Sequence, residues 1–145
     1  MQGENCRTMA TLPTGGSDRS ASPIAFQPGG THESSALLVI AKNILAARLK
    51  AFRALPRHLF RDEAWDMLLE LYVAHHEGKK TLVKHLLLSA NSVAAGMRRV
   101  DAMEEAGLLV RSRDKQDHRC TDVYLTERGL TSLTILLQDI RQDRI

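Results

Sequence analysis

The sequence predicts a single, mostly helical α+β domain, and three observations support this fold class. After residue 31, apolar residues recur every three or four positions over most of the chain, which is the spacing of helices that bury one face. Two short segments near residues 110 and 123 have the composition of strands, and the second alternates across its two faces. A length of 145 residues with 43% hydrophobic residues is enough for one modest core and too little for two ordinary domains.

The first 31 residues differ from the rest in composition. Gly, Pro, Ser and Thr repeat there, the few charges cancel, and no apolar centre of a signal peptide is present. We expect a disordered tail over residues 1–31 and the folded domain over residues 32–145. The longest apolar stretch, residues 36–41, is far shorter than the roughly 20 residues that cross a bilayer. The sequence therefore predicts a soluble, cytoplasmic protein with no membrane partner.

The two cysteines, Cys6 and Cys120, are far apart, and neither has a CxxC or CxxH companion. This spacing indicates neither a disulfide framework nor a zinc ribbon, and it fits a reducing cytoplasm. Two interpretations of Cys120 are open. It is either a small, partly buried structural cysteine or a thiolate beside Arg119 that senses oxidants.

The triplet His75, His76 and Glu77 contains residue types that bind zinc. Adjacent histidines point in different directions on a helix, and the i, i+4 histidine pair of a metalloprotease motif is missing. Half-buried or solvent-facing histidines at a helix end are therefore expected. The sequence predicts no metal site and no cofactor.

Two helices are predicted in the first half of the domain. The first covers residues 35–52 behind an N-cap at Ser34 or Ser35, and it ends before Pro56 because the residue preceding a proline is steered away from helical geometry. Its apolar sector is wide enough to pack on two sides, and a second copy of the chain is one candidate. The second helix covers residues 62–77, begins with acids that favour the N-terminal dipole, and ends at Gly78.

In the second half of the domain, the sequence pattern predicts a winged helix-turn-helix. A short helix over residues 79–88, a break at residues 89–92 and a helix over residues 93–106 give two helices joined by a tight turn, with Ser92 as the N-cap of the second. Strands at residues 108–113 and 120–125 then form a hairpin, the wing. A last helix over residues 126–141 has the apolar spacing of a helix–helix seam.

The stretch from residue 82 to residue 129 contains the motifs Glu-Glu-Ala-Gly-Leu at 104–108, Arg-Asp at 113–114, Asp-His-Arg at 117–119 and Val-Tyr-Leu-Thr-Glu-Arg-Gly at 123–129. Through these motifs the sequence resembles the MarR-type winged-helix regulators, and the resemblance implies that the N- and C-terminal helices form a dimer. The resemblance implies a homodimeric transcriptional regulator that binds double-stranded DNA. It places the recognition helix, residues 92–106, in the major groove and the wing, residues 111–123, on the adjacent backbone or minor groove. The resemblance also often implies a small-molecule pocket between the dimer helices and the winged core. Here the candidate lining, which consists of Trp65, Leu68, Tyr72 and residues of the first helix, is better explained as ordinary core, and no effector is identified.

Charge is distributed unevenly although the net charge is only +3. Residues 78–100 contain five cations and no acid, a local +5. Residues 59–77 contain one arginine and five acids, a local −4. Such polarity can orient a protein on a polyanion, and we expect the two faces to differ in potential.

With Val93, Met97, Val100 and Met103 pointing inward, a helical projection turns Ala95, Arg98 and Ala102 outward. Arg98 is the best candidate for reading guanine through two parallel donors, and a phosphate contact is an equally good interpretation. Arg99 is expected to contact phosphate or to form a salt bridge with Glu63 or another acid. Ala94 and Ala95 stand where many family members carry hydroxyl groups, which leaves contacts with thymine methyl groups.

The wing carries a second set of candidates. Asp117 and Arg119 match the family's Asp-x-Arg element, in which the carboxylate directs the guanidinium toward DNA, although the same pair can simply brace the hairpin. His118 is expected to be an exposed turn histidine. The candidate DNA-binding residues are Ser92, Ala94, Ala95, Arg98, Arg99, Arg113, Lys115, His118 and Arg119.

No nucleophile elbow, P-loop, dinucleotide fingerprint or paired-carboxylate pocket is found, so the sequence does not predict an enzyme. The main alternative is a winged-helix module that binds another protein without specific DNA binding. Salt dependence separates the two partly, because duplex binding weakens steeply as counterions compete.

Overall fold

The structure is a computed structural model, and it describes residues 32–59, 62–113, 115–117 and 119–143. The predicted disordered tail, residues 1–31, lies outside the described residues. No helix in the described part of the chain is both long and apolar enough to cross a membrane. The elements are α1 (His32–Ala54), α2 (Glu63–Glu77), β1 (Thr81–Leu82), α3 (Val83–Leu86), α4 (Val93–Glu105), β2 (Leu109–Arg113), β3 (Thr121–Leu125) and α5 (Glu127–Gln142), with single 3-10 turns at Arg57–Leu59 and Leu87–Ser89.

Helices α1 and α2 form where the apolar periodicity predicts them. Helix α1 begins at His32, before the predicted serine cap, and buries Leu37, Ile40 and Ala41. Helix α2 ends at Gly78, whose φ of 67° lies in the left-handed region that glycine adopts most easily. Both predicted helices are confirmed, although α1 extends beyond its predicted bounds at both ends.

The predicted helix at residues 79–88 is wrong in its first part. Residues Thr81–Leu82 form strand β1, followed by a helix of one turn and then a 3-10 turn. Thr81 pairs with Val123 and Leu82 with Asp122, so β1 lies along β3. A strand this short has no periodicity of its own, and only its partner reveals it.

The predicted wing is confirmed. Strands β2 and β3 pair antiparallel, from Leu109 opposite Leu125 to Arg113 opposite Thr121, and the sheet order is β1-β3-β2. Helices α3 and α4, the turn between them and this hairpin make a winged helix-turn-helix, framed by α1 and α5. The fold class is therefore α+β and mostly helical, as the sequence predicts.

The core lies between the five helices, α1 to α5, and the inner face of the sheet. Its largest fully buried side chains include Tyr72, Met67, Leu86 and Val100. Trp65, which is expected to be a core residue, is only partly buried, whereas Tyr72 is fully buried. The interpretation as a core residue is confirmed for Tyr72, while Leu68, like Trp65, is partly buried and packs against the core.

Cys120 is buried and disulfide-bonded, and Cys6 lies outside the described residues. The prediction that the cysteines form no disulfide is wrong for Cys120. Pairing of distant cysteines depends on which segments meet in space, and spacing along the chain does not contain that information.

The two histidines at the end of α2 are half-buried, as expected for a helix end. The rings of Tyr72 and His76 lie 4.4 Å apart, and Nε2 of His76 is buried without a hydrogen-bond partner. Burial lowers the pKa of both His75 and His76. Hydrogen bonds from Lys42 and Lys79 lower the pKa of the neighbouring Glu77 to about 2. Among the described residues, no group of three or more metal-binding side chains comes together.

The junction between α4, the wing and α5 is tightly packed. Gly107 follows α4 with a φ of 76°, and its carbonyl accepts a hydrogen bond of 2.5 Å from the Thr126 hydroxyl. The Thr126 oxygen in turn caps α5 by accepting from the Gly129 amide at 3.0 Å. A Cβ added at Gly129 would overlap the Leu108 carbonyl oxygen, a main-chain atom that cannot swing aside.

Gly129→Ala should destabilise the protein by about 2 to 3 kcal/mol, because the added methyl group overlaps the Leu108 carbonyl. Helix propensity alone predicts the opposite sign, since alanine is better than glycine in a helix by about 1 kcal/mol. Urea unfolding measures the difference. Gly107→Ala is the control, because its Cβ would meet only the flexible Arg128 side chain and no main-chain atom. It should destabilise the protein by about 1 to 2 kcal/mol, the cost of placing alanine at a φ of 76°. A stabilised Gly129→Ala variant would contradict the packing described.

When the pH falls from about 7 to about 5, the His76→Phe variant should lose less stability than the wild-type protein. Because the folded state lowers the pKa of His76, folding favours the neutral ring. The associated stability is present above the ordinary value of 6.5 and is lost as the pH falls through the lowered pKa. Phenylalanine keeps the ring contact with Tyr72 and removes the titration. Urea unfolding across this range checks the slope, with exposed His58→Gln as the control; an unchanged slope in His76→Phe would refute the assignment.

Candidate nucleic-acid interface

The turn between α3 and α4 is held by two carboxylates of α2. The Glu63 carboxylate, which is buried, accepts a hydrogen bond of 2.8 Å from the Asn91 amide. Glu70 accepts a hydrogen bond from the Ser89 hydroxyl. Burial raises the pKa of Glu70, and this hydrogen bond opposes the rise. These contacts fix the turn and therefore the direction in which α4 leaves it.

Helix α4 begins at a cap and packs closely on that turn. The Ser92 oxygen accepts a hydrogen bond of 3.1 Å from the Ala95 amide, as the N-cap prediction requires. A Cβ added at Gly96 would lie 2.6 Å from Cδ2 of Leu87 and 2.8 Å from Cβ of Ala90. Gly96 thus lets α4 approach the helix-turn-helix bend more closely than a larger residue would permit.

The outer face of α4 carries two arginines. Arg98 and Arg99 are exposed, as are Ala94 and Ala102, while Ala95 is half-buried. Over the described ranges, no ion pair or hydrogen bond engages either arginine side chain. The salt bridge considered between Arg99 and Glu63 is not formed, because the Glu63 carboxylate binds the Asn91 amide instead.

Val93 departs from the helical projection. It is predicted to point inward with Val100 and Met103, which are buried, but it is 68% exposed. The reason is that Val93 is the first residue of α4 and lies beyond the edge of the core. A side chain there has nothing to pack against, even when it lies on the same face of the helix as the buried residues. The inward stripe begins only at Gly96.

An ion-pair cluster that the sequence analysis missed joins the wing to α4. On β2, Arg111 donates from Nε to Glu104 at 2.6 Å and lies 2.8 Å from Asp101 through Nη2. The hydrogen bond to Glu104 raises the pKa of the Arg111 guanidinium. The signal was the i, i+3 pair of acids facing the first strand after α4. Arg111 therefore holds the wing beside α4, on whose outer face Arg98 is exposed.

The tip of the wing is exposed and cationic. Arg113 and Lys115 are exposed, and neither pairs with a described residue. Asp117 accepts a hydrogen bond of 3.1 Å from the Arg119 amide, a bracing main-chain contact of the kind that the sequence left open. Arg119 is exposed, and His118 lies outside the described residues.

Ion pairs within the protein neutralise part of the local charge of residues 59–77 and of residues 78–100. Lys79 lies 2.8 Å from Glu77 and Lys80 lies 3.6 Å from Asp122, so only part of the local +5 is uncompensated. Asp66 receives two hydrogen bonds from Arg48 at 2.9 and 3.0 Å. Most acids of α2 are used inside the protein, and the expected contrast between two charged faces is correspondingly reduced.

A cavity of about 590 Å³ lies away from α4, between α1, α2 and the 3-10 turn after α3. It is bordered by Arg57, which donates to the Leu88 carbonyl at 3.0 Å and stacks on Phe52 with its guanidinium carbon 5.0 Å from the ring centre. Trp65, Leu68 and Tyr72 do not line it, but five residues of α1 do, so the expectation that the residues of the first helix are ordinary core is wrong for these five. The lining residues are Leu45, Arg48, Leu49, Phe52, Arg53, Arg57, Asp66, Glu70, His85, Leu88 and Ser89.

No protein-family profile and no curated protein matches the chain. Several solved structures are similar to it. One is a mutant of MepR from a multidrug-resistant S. aureus clinical isolate, with 16% identity, a TM-score of 0.49 and coverage of 79% of this chain and 78% of that chain. A MarR transcription factor from Planctomyces limnophilus has 22% identity, a TM-score of 0.46 and coverage of 79% and 80%. An S. aureus MepR–DNA complex has 18% identity, a TM-score of 0.42 and coverage of 81% and 86%. The winged-helix assignment stands on the order and pairing of this chain's own elements.

Proposed function

We propose that the protein is a homodimeric transcriptional regulator that binds double-stranded DNA sequence-specifically. Residues 92–106 would enter the major groove, and the wing, residues 111–123, would lie on the adjacent backbone or minor groove. The observation that carries the proposal is the Arg111 cluster with Asp101 and Glu104, since it keeps the wing next to the α4 face on which Arg98 is exposed. Cations of both elements can then face one polyanion.

The shape of α4 supports this use. A major groove about 12 Å wide admits one helix, provided that its leading face is slim. Ala94 and Ala102 are exposed beside Arg98, and their methyl groups let the helix come close to the base edges. Arg98 is the residue we assign to base reading, because a guanidinium offers two parallel donors to guanine.

The remaining cations suit phosphate contacts. Arg99 lies on the flank of α4, and Arg113 and Lys115 lie on the wing tip. Ser92 presents a hydroxyl hydrogen while its oxygen caps α4, so it can donate to a phosphate without losing the cap. We assign Arg119 to the wing contact with the minor groove or backbone, with His118 beside it in the chain.

A dimer explains the apolar surface left on the terminal helices. Val39 on α1 is 55% exposed, and Ile135 and Leu136 on α5 are 54% and 41% exposed. Gln138 donates to Glu33 at 2.9 Å, which joins the two helices. A two-fold axis through this surface would present two copies of α4 to successive major grooves, about 34 to 36 Å apart.

Arg98→Ala should lose about 1 to 3 kcal/mol of discrimination at one base pair of each half-site, while non-specific binding changes little. The measurement is a fluorescence-anisotropy titration of duplexes selected from a random library, which gives the dissociation constant for each base pair at that position. Arg113→Ala should instead weaken binding to all sequences and reduce the slope of log K against log salt by about one. Arg53→Ala, an exposed arginine at the end of α1, is the control and should change neither.

Binding that selects no duplex sequence and depends little on salt would contradict the proposal. Retained binding to a protein ligand under those conditions would favour the interaction-module alternative. Equal losses from Arg98→Ala and Arg53→Ala would remove Arg98 from the interface.

Ile135→Glu should convert the dimer to a monomer at micromolar concentration, because it would bury a carboxylate in an apolar interface. Sedimentation velocity measures the mass of each species. Leu55→Glu is the matched control, since Leu55 is 52% exposed but follows the end of α1, away from α5. A wild-type protein that sediments as a monomer, or a Leu55→Glu variant that dissociates as readily, would overturn the proposed interface.

A further inference from the structure

The first residue of α4 is an exposed valine with no structural task. Val93 is 68% exposed, and it neither joins the buried stripe of α4 nor belongs to the partly buried residues packed against the core. Single exposed apolar residues are common on protein surfaces. This one differs because it stands at the leading end of the helix that we assign to the major groove.

The whole first turn of α4 offers apolar contacts. The Ser92 oxygen is occupied by the cap to the Ala95 amide. The next side chains are the two methyl groups of Val93 and the methyl group of Ala94, both exposed, and Ala95 is half-buried. In helix-turn-helix proteins the N-terminal residues of this helix contact base edges. The feature of a major-groove edge that an apolar side chain recognises is the 5-methyl group of thymine.

Valine is well suited to such a contact. Branching at Cβ leaves one strongly preferred rotamer in a helix, so its methyl groups are held in place before binding and little entropy is lost on contact. The cap at Ser92 and the Glu63 hydrogen bond to the Asn91 amide fix the main chain on which Val93 stands. The side chain is therefore presented in a defined direction.

We propose that Val93 is a specificity-determining residue that packs against the 5-methyl group of a thymine in each half-site. This inference rests on the proposed function and adds to it a second base-reading contact, apolar, alongside the polar contact of Arg98. The half-site then contains a thymine that is recognised by its methyl group and distinguished from cytosine on that basis.

Replacement of thymine by deoxyuridine tests the contact, because it deletes only the methyl group. Starting from a duplex selected by the wild-type protein, each thymine is replaced in turn, and dissociation constants are measured for wild type and Val93→Ala. At one thymine per half-site, wild type should lose about fourfold in affinity, the effect of one buried methyl group. Val93→Ala should bind the unmodified thymine duplex about as weakly as wild type binds the duplex with deoxyuridine. Its affinity should fall almost no further when that thymine is replaced by deoxyuridine. Leu55→Ala, which truncates an exposed apolar side chain elsewhere, should behave as wild type.

The outcomes separate the inference from the proposed function. If wild type selects a duplex but Val93→Ala keeps the full deoxyuridine effect, the inference is wrong and the proposed function stands. If wild type binds no duplex, both are overturned. Thermal unfolding of Val93→Ala should match wild type because the side chain is exposed, so a weakened variant that melts at the wild-type temperature reports on the contact itself.

Discussion

The contact between the Leu108 carbonyl and Gly129 is the constraint on which the arrangement of the site depends. The chain leaves α4 at Gly107, crosses the wing and returns at Thr126, whose hydroxyl binds the Gly107 carbonyl and whose amide binds the Leu108 carbonyl at 3.0 Å. The end of the proposed recognition helix and the start of α5 are thereby brought into direct contact. If α5 forms the dimer, the same contact transmits the position of the two-fold axis to α4, and the separation of two recognition helices follows from main-chain packing.

Electrostatic contacts inside the protein decide which charges remain for a partner. Glu63 and Glu70 hold the bend before α4, Asp66 binds Arg48, and Arg111 is held by the acids of α4. A charge inventory by segment overestimates both the acidic face and the basic face, because paired side chains contribute little field at a distance. On α4 and the wing, by contrast, Arg98, Arg99, Arg113 and Lys115 are exposed and have no partner among the described residues, and the neighbouring acids Asp101 and Glu104 are engaged by Arg111.

Periodicity and local chemistry predicted most of the fold. The helices were visible because their apolar faces repeat, and Ser92, Gly78 and Thr126 mark helix ends by mechanisms that act within a few residues. What escaped prediction depends on distant partners. Strand β1 is defined only by β3, the disulfide of Cys120 only by another part of the chain, and the role of Arg111 only by acids across the junction. Val93 escaped because a projection assumes that the core extends along the whole helix.

In the proposed complex, affinity and selectivity for a duplex would come from different side chains of α4. Contacts with phosphate supply affinity for any duplex, whereas discrimination comes from side chains at base edges. Here the leading turn offers methyl groups and a serine whose oxygen is occupied, and Arg98 is the strong donor on the outer face. Apolar contacts discriminate by shape and by the presence of a methyl group, which is weaker than a bidentate hydrogen bond. A protein built in this way needs two half-sites read together, because the modest selectivity of one α4 is multiplied only when a second copy is held at a fixed distance.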